Sequence, residues 1–144
     1  MTKKQKFIPW GRTLTTNDNY LGKQKTNSKK TRGVVVVDTY DNNLAVVPLS
    51  SRDGANRTEL KGYNKSFGKD KKKDKKKVKT YYKHYLEIED NEGQPIRVNK
   101  KFRENHKNMD LSRDDVLDIR QTIFTKAKTK QRNQKLYDKF HRKK

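Results

Sequence analysis

The sequence predicts a mainly β fold: a small closed sheet with a C-terminal helix, carrying long basic segments outside its core. Three observations predict it. Thr31–Ser51 reads as an apolar hairpin, Thr80–Glu89 alternates with period two, and Ser112 begins a capped helix. The core must be small, because only 28% of the 144 residues are hydrophobic. Even with the 7 glycines added the share is about a third, against roughly 45–50% in ordinary domains.

The hairpin is the best-defined element. Val34 to Val37 is an unbroken β-branched run and Leu44 to Leu49 a second apolar run. Asp41-Asn42-Asn43 between them tolerates positive φ. Both strands are apolar on both faces, which suits the centre of a sheet. A turn centred near Asn42 sets Arg32 opposite Ser51 or Arg52, beside Ser50.

Residues 1–31 are expected to form a basic arm, with eight Lys and Arg and one acid, Asp18. Its apolar knot is Phe7-Ile8-Pro9-Trp10, and Trp10 either anchors the arm on the sheet or stacks on a base. Residues 32–127 are expected to hold the sheet and its packed helix, interrupted at 69–79 by KDKKKDKKKVK, which can bury nothing. Ser51–Ser66 is a loop running on from the hairpin. In Thr80–Glu89, Tyr82, His84, Leu86 and Ile88 share one face, and Tyr81, Lys83, Tyr85 and Glu87 form an aromatic, basic outer one. A fourth strand is expected over Pro95–Phe102. Ser112 then caps a helix whose Asp114 and Asp115 sit at the positive dipole end, with a stripe of Val116, Ile119, Ile123 and Ala127. Residues 128–144 are expected to be a basic tail, helical where it meets an acidic partner.

The 38 Lys and Arg against 17 Asp and Glu leave a net charge of +21, which self-repels unless a polyanion neutralises it. Nucleic acid is therefore the expected partner. The chain lacks a run of about 18 apolar residues and an apolar signal-type region at its start, so no membrane association and a cytoplasmic location are expected. With 0 cysteines it has neither disulfide nor thiolate nucleophile. His84, His106 and His141 are scattered, no metal-ligand spacing recurs, and no cofactor motif is present.

RNA cleavage can run on Arg, Ser, Lys and Tyr alone. The 2′-hydroxyl is an internal nucleophile, so a protein need only orient it, stabilise charge on the phosphate and protonate the 5′-oxygen. An arginine before an apolar strand, a polar turn, and a strand ending Val46-Val47-Pro48-Leu49-Ser50-Ser51 resemble the PemK/MazF group of toxin endoribonucleases and their relative ToxN. The resemblance implies a small CcdB/PemK-like (SH3-like) barrel and metal-independent cleavage of single-stranded RNA by 2′-hydroxyl attack. It also implies an antitoxin, protein or RNA, and a homodimer or toxin–antitoxin assembly. Arg32 would stabilise the transition state and donate a proton, Ser50 would take the place of the catalytic hydroxyl, and Ser51 would contact substrate. Arg52, Arg57, Lys61, Lys83, Tyr81, Tyr85, Lys100 and Lys101 are the expected RNA-binding residues. The alternative is a non-catalytic RNA- or DNA-binding protein in which Arg32 contacts phosphate and the serines only end a strand. Gly33 after the arginine, Ser50 in place of the usual Thr, and the lysine insertion depart from the family pattern.

Overall fold

A computed structural model describes residues 7–22, 30–63, 65 and 79–142. Six antiparallel strands, β1 (Thr13–Asn17), β2 (Thr31–Tyr40), β3 (Asn43–Ser50), β4 (Arg57–Glu59), β5 (Tyr81–Lys83) and β6 (Arg103–Glu104), form one sheet. Its order is β4-β5-β3-β2-β1-β6. Among the described residues β4 and β6 do not pair, so the sheet is open rather than the closed one expected. Helices α1 (Arg113–Gln121) and α2 (Lys130–Phe140) follow, joined through a π-helical turn over Thr122–Lys126. Among the described residues no helix is long and apolar enough to cross a membrane.

The β2–β3 hairpin is central because it can be buried on both sides. Val34, Val35, Val36 and Val37 are all fully buried. Asp41 and Asn42 take the positive φ values, 52° and 67°, that a two-residue turn between twisted strands demands. Val35, Val47, Leu49 and Tyr82 face α1 and α2 through Val116, Ile119, Ile123 and Phe140. Val34, Val36, Leu44 and Val46 face a smaller core of Ile8, Leu14, Leu21, Ile96 and Phe102. The register shifts between Val36 and Asp38, so that Val34 pairs with Pro48. Continued by two residues, this register sets Ser50 opposite Arg32, rather than Ser51 or Arg52 as expected.

Four expected boundaries move. Residues 13–17 lie inside the sheet between β2 and β6 rather than in an arm. Gly11 anchors that entry: its φ is +95°, and a Cβ there would lie 2.5 Å from the Leu111 carbonyl oxygen. The strand expected over 80–89 pairs with β3 only at Tyr81 and Tyr82, then returns in a bridge of Glu87 to Val46. No strand forms over 95–102. There the Asn99 side chain accepts hydrogen bonds from the Lys101 and Phe102 amides at 2.8 and 3.1 Å, which turns the chain out of the extended conformation. The expected tail contains α2, docked on the helical side of the sheet with Asn133 and Phe140 buried. Residues 1–6, 23–29 and 69–78 of the expected arm and insertion lie outside the described residues. Trp10 packs against the larger core, with the Arg120 guanidinium 4.5 Å from its ring centre.

Ser112 caps α1 as expected, accepting a hydrogen bond from the Asp115 amide at 3.1 Å. Asn133 fixes α2 in place beside the apolar contacts of Leu136, Tyr137 and Phe140. Its amide nitrogen donates to the carbonyls of His84 (3.0 Å) and Ile123 (2.8 Å), and its oxygen accepts from the Leu86 amide at 3.1 Å. These bonds take up backbone groups of residues 84 and 86, where the chain has left the regular pairing of β5.

Candidate nucleic-acid interface

Strand pairing brings cations from three separate parts of the chain to one face of the sheet. Arg57 pairs directly with Lys83. One step beyond the Leu49–Tyr82 pair, Lys83 stands opposite Pro48, which itself pairs with Val34. Directly opposed residues point to the same face and that face recurs every second residue, so Arg32, Ser50, Arg57 and Lys83 all belong to it. Between Lys83 and Glu87 the chain advances four residues while β3 advances two, from Pro48 to Val46. The surplus bulges outward with Tyr85. A cleft of about 310 Å³ results, lined by Asp18, Leu21, Arg32, Pro48, Lys83, Tyr85 and Glu87.

Arg32 is not the solvated strand-end arginine that its position suggests. Its side chain is only 11% exposed. Nε and Nη2 grip the Asp18 carboxylate, the latter at 3.1 Å, and Nη1 donates to the Leu49 carbonyl at 2.8 Å. Burial pushes the Asp18 carboxyl up, but the hydrogen bonds and charge of Arg32 outweigh it and hold Asp18 below the ordinary carboxylate range. Arg57 donates through Nη1 to the Ser50 hydroxyl (3.0 Å) and to the Arg52 carbonyl (2.9 Å). The Ser50 hydroxyl also accepts from the Arg52 amide at 3.1 Å. Lys83 is half-buried, and its ammonium makes no hydrogen bond or ion pair among the described residues. Burial, followed by the positive charges of Arg32 and Arg57, pushes its ammonium down to about 8, with Asp18 opposing. At the other end of the cleft, burial holds the Glu87 carboxyl above its ordinary value against the opposing pull of Arg132. The Arg132 guanidinium also lies 5.5 Å from the Tyr85 ring centre.

Of the residues singled out from sequence, Arg32, Ser50, Arg57, Lys83 and Tyr85 are thus gathered at or beside one cleft. Ser51, Arg52 and Lys61 are exposed on the turns that follow β3 and β4. Tyr81 is buried and offers no open ring to a base. Lys100 is exposed away from the cleft lining, and Lys101 is held by Glu92 at 2.6 Å and Asp90 at 3.4 Å. Sequence reading missed Asp18, Leu21, Pro48 and Glu87 as cleft residues. The one available signal was Asp18, the sole acid among residues 1–31.

This geometry can hold a phosphodiester. Two arginines and a lysine stand on the face where Asp18 is engaged by Arg32 and the second carboxylate of the cleft, Glu87, by Arg132, and an anion is the natural complement. Searches against protein-family models, curated proteins and solved structures found no match to this chain.

Proposed function

We propose that this protein is a metal-independent endoribonuclease that binds single-stranded RNA across the Arg32–Lys83–Arg57 face and cleaves it by 2′-hydroxyl attack. The observation that carries the reading is the gathering of three cations and the Ser50 hydroxyl on one sheet face beside a cleft of nucleotide size. Arg32 and Arg57 supply fixed positive charge where charge develops on the phosphate, and Ser50, itself oriented by Arg57, supplies the hydroxyl. The net charge of +21 supplies affinity for the rest of the strand. The resemblance of residues 31–51 to PemK/MazF toxins supports a cytoplasmic toxin whose partner is an antitoxin of protein or RNA. A small antiparallel sheet followed by a C-terminal helix is in keeping with the CcdB/PemK-like (SH3-like) form of that reading.

A second reading, binding without cleavage, is favoured by one observation: the Arg32 guanidinium is already engaged by Asp18 and Leu49. Two measurements on one preparation separate the readings. Incubation of a long RNA in EDTA-containing buffer gives fragments if the nuclease reading is right, and Ser50→Ala lowers the rate about 10²–10³-fold, the usual cost of losing one preorganised group at such a site. Affinity for the 2′-deoxy analogue, with about six phosphates neutralised, falls with salt at a log–log slope of about −4. An intact RNA with that slope leaves the binder. A slope near zero removes the nucleic-acid partner.

A further inference from the structure

Arg32 and Lys83 line the cleft and Arg57 stands beside it on the same sheet face, and the three cations are not equivalent. Arg32 is committed at Nε, Nη1 and Nη2, and Arg57 spends Nη1 on Ser50 and on the Arg52 carbonyl. Both guanidiniums are permanently charged, so they can neutralise a phosphate but are poor donors of a proton. Lys83 differs on each count. It lines the cleft, it is half-buried, and no carboxylate lies within ion-pair distance of it among the described residues. The charged groups around it are Arg57 from β4, Arg32 and Lys30 from β2 and its approach, Asp18 after β1, and, on its own segment, Glu87 beyond Tyr85. Cations outnumber acids there, and a desolvated ammonium among cations gives up its proton readily.

Resting on the nuclease reading above, we propose that Lys83 is the catalytic proton donor to the leaving 5′-oxygen of a phosphodiester seated between Arg32 and Arg57. The step balances within the substrate and solvent. The 2′-oxygen forms a bond to phosphorus as its proton passes to water, and the bond from phosphorus to the 5′-oxygen breaks. The Lys83 ammonium gives its proton to that oxygen and is reprotonated from water. The products are a 2′,3′-cyclic phosphate and a 5′-hydroxyl end. Titration near 8 matches this task at neutral pH, where the group is mostly protonated yet acidic enough to transfer.

The test compares two substrates that differ only at the leaving atom: an oligonucleotide with a single ribonucleotide, and the same strand with sulfur replacing the bridging 5′-oxygen. A thiolate leaves without being protonated, so it bypasses a missing acid. Lys83→Ala and the length-preserving Lys83→Met are expected to lose about 10²–10⁴-fold on the oxygen substrate. On the sulfur substrate they lose less than about tenfold, and they lack the fall in parent rate above about pH 8. Both variants remove a repelled charge, so both are expected to unfold no earlier than the parent at pH 7. Equal losses on the two substrates would make Lys83 a positioning residue, and undiminished cleavage would remove it from the reaction. Either result overturns the inference and leaves the nuclease reading standing. A parent that cuts neither substrate overturns the nuclease reading and the inference with it.

Discussion

Replacing Asn133 by alanine removes the side chain that binds α2 to the sheet, and the size of the effect can be worked from its contacts. Asn133 has no exposed surface. Alanine would strip the Leu86 amide and the Ile123 carbonyl of partners now at 3.1 and 2.8 Å. The His84 carbonyl keeps a second donor in the Thr129 hydroxyl. Each buried backbone group deprived of its partner costs about 1–3 kcal/mol, so two of them give about 2–6 kcal/mol. For a domain of this size, at about 4 °C per kcal/mol, that lowers the unfolding midpoint by roughly 8–24 °C. Thermal unfolding followed by circular dichroism at pH 7 measures the shift. Asn133→Asp serves as the control, since it preserves shape but turns a donor into an acceptor facing the same carbonyls, and it should cost at least as much. If α2 were a solvated tail, both changes would stay within about 0.5 kcal/mol. A midpoint drop under about 2 °C for the alanine variant would therefore refute the docking of α2 and the role given to Asn133.

Arg32→Ala is expected to cost stability as well as activity, because it takes the hydrogen bonds and charge of Arg32 from Asp18, whose side chain is only 21% exposed. Breaking a buried pair costs about 3–5 kcal/mol, and partial exposure reduces this to about 2 kcal/mol. Urea unfolding should show the Arg32→Ala, Asp18→Asn double variant to be more stable than Arg32→Ala alone, and additive costs would deny the pairing. The Asp18 carboxyl is depressed in the fold, so its contribution is present above the unfolded value of about 4 and is lost as pH falls below it. Arg32→Ala should therefore unfold less steeply in acid than the parent does. Lys83 is shifted in the same direction, so its effect has the same sign in a higher pH window. Its folded value of about 8 lies below the ordinary 10.5, so between those values the unfolded chain holds a proton that the native state has released, and stability rises with pH. Lys83→Met should lose that rise in a pH series of unfolding midpoints; an unchanged slope would show that Lys83 is not the group responsible.

The β2–β3 hairpin and the start of α1 were legible in the sequence for a local reason. A β-branched run, two residues that accept positive φ, and a serine three residues before a free amide act within one or two turns of chain. The polar strand β1 was not legible, because Thr-Leu-Thr-Thr-Asn becomes a strand only through its partners on β2 and β6. Nor was the docking of α2, since a buried asparagine looks like any polar residue until its carbonyl partners are known. The alternation of Ile96 and Val98 was overridden by the side chain of Asn99. At the cleft, sequence marked Arg32, Ser50, Arg57, Lys83 and Tyr85 as polar or basic residues near strand ends, and it determined the excess of positive charge. That Arg32 is tied to Asp18, that Lys83 stands beside Arg57 without an acid of its own, and that Ser50 rather than Ser51 faces Arg32 were decided by tertiary structure. The physical reason is register: a single bulge between Val36 and Asp38 shifts every later pairing by one residue. Composition fixes how much charge the chain carries, and long-range hydrogen bonding between strands decides which charges meet.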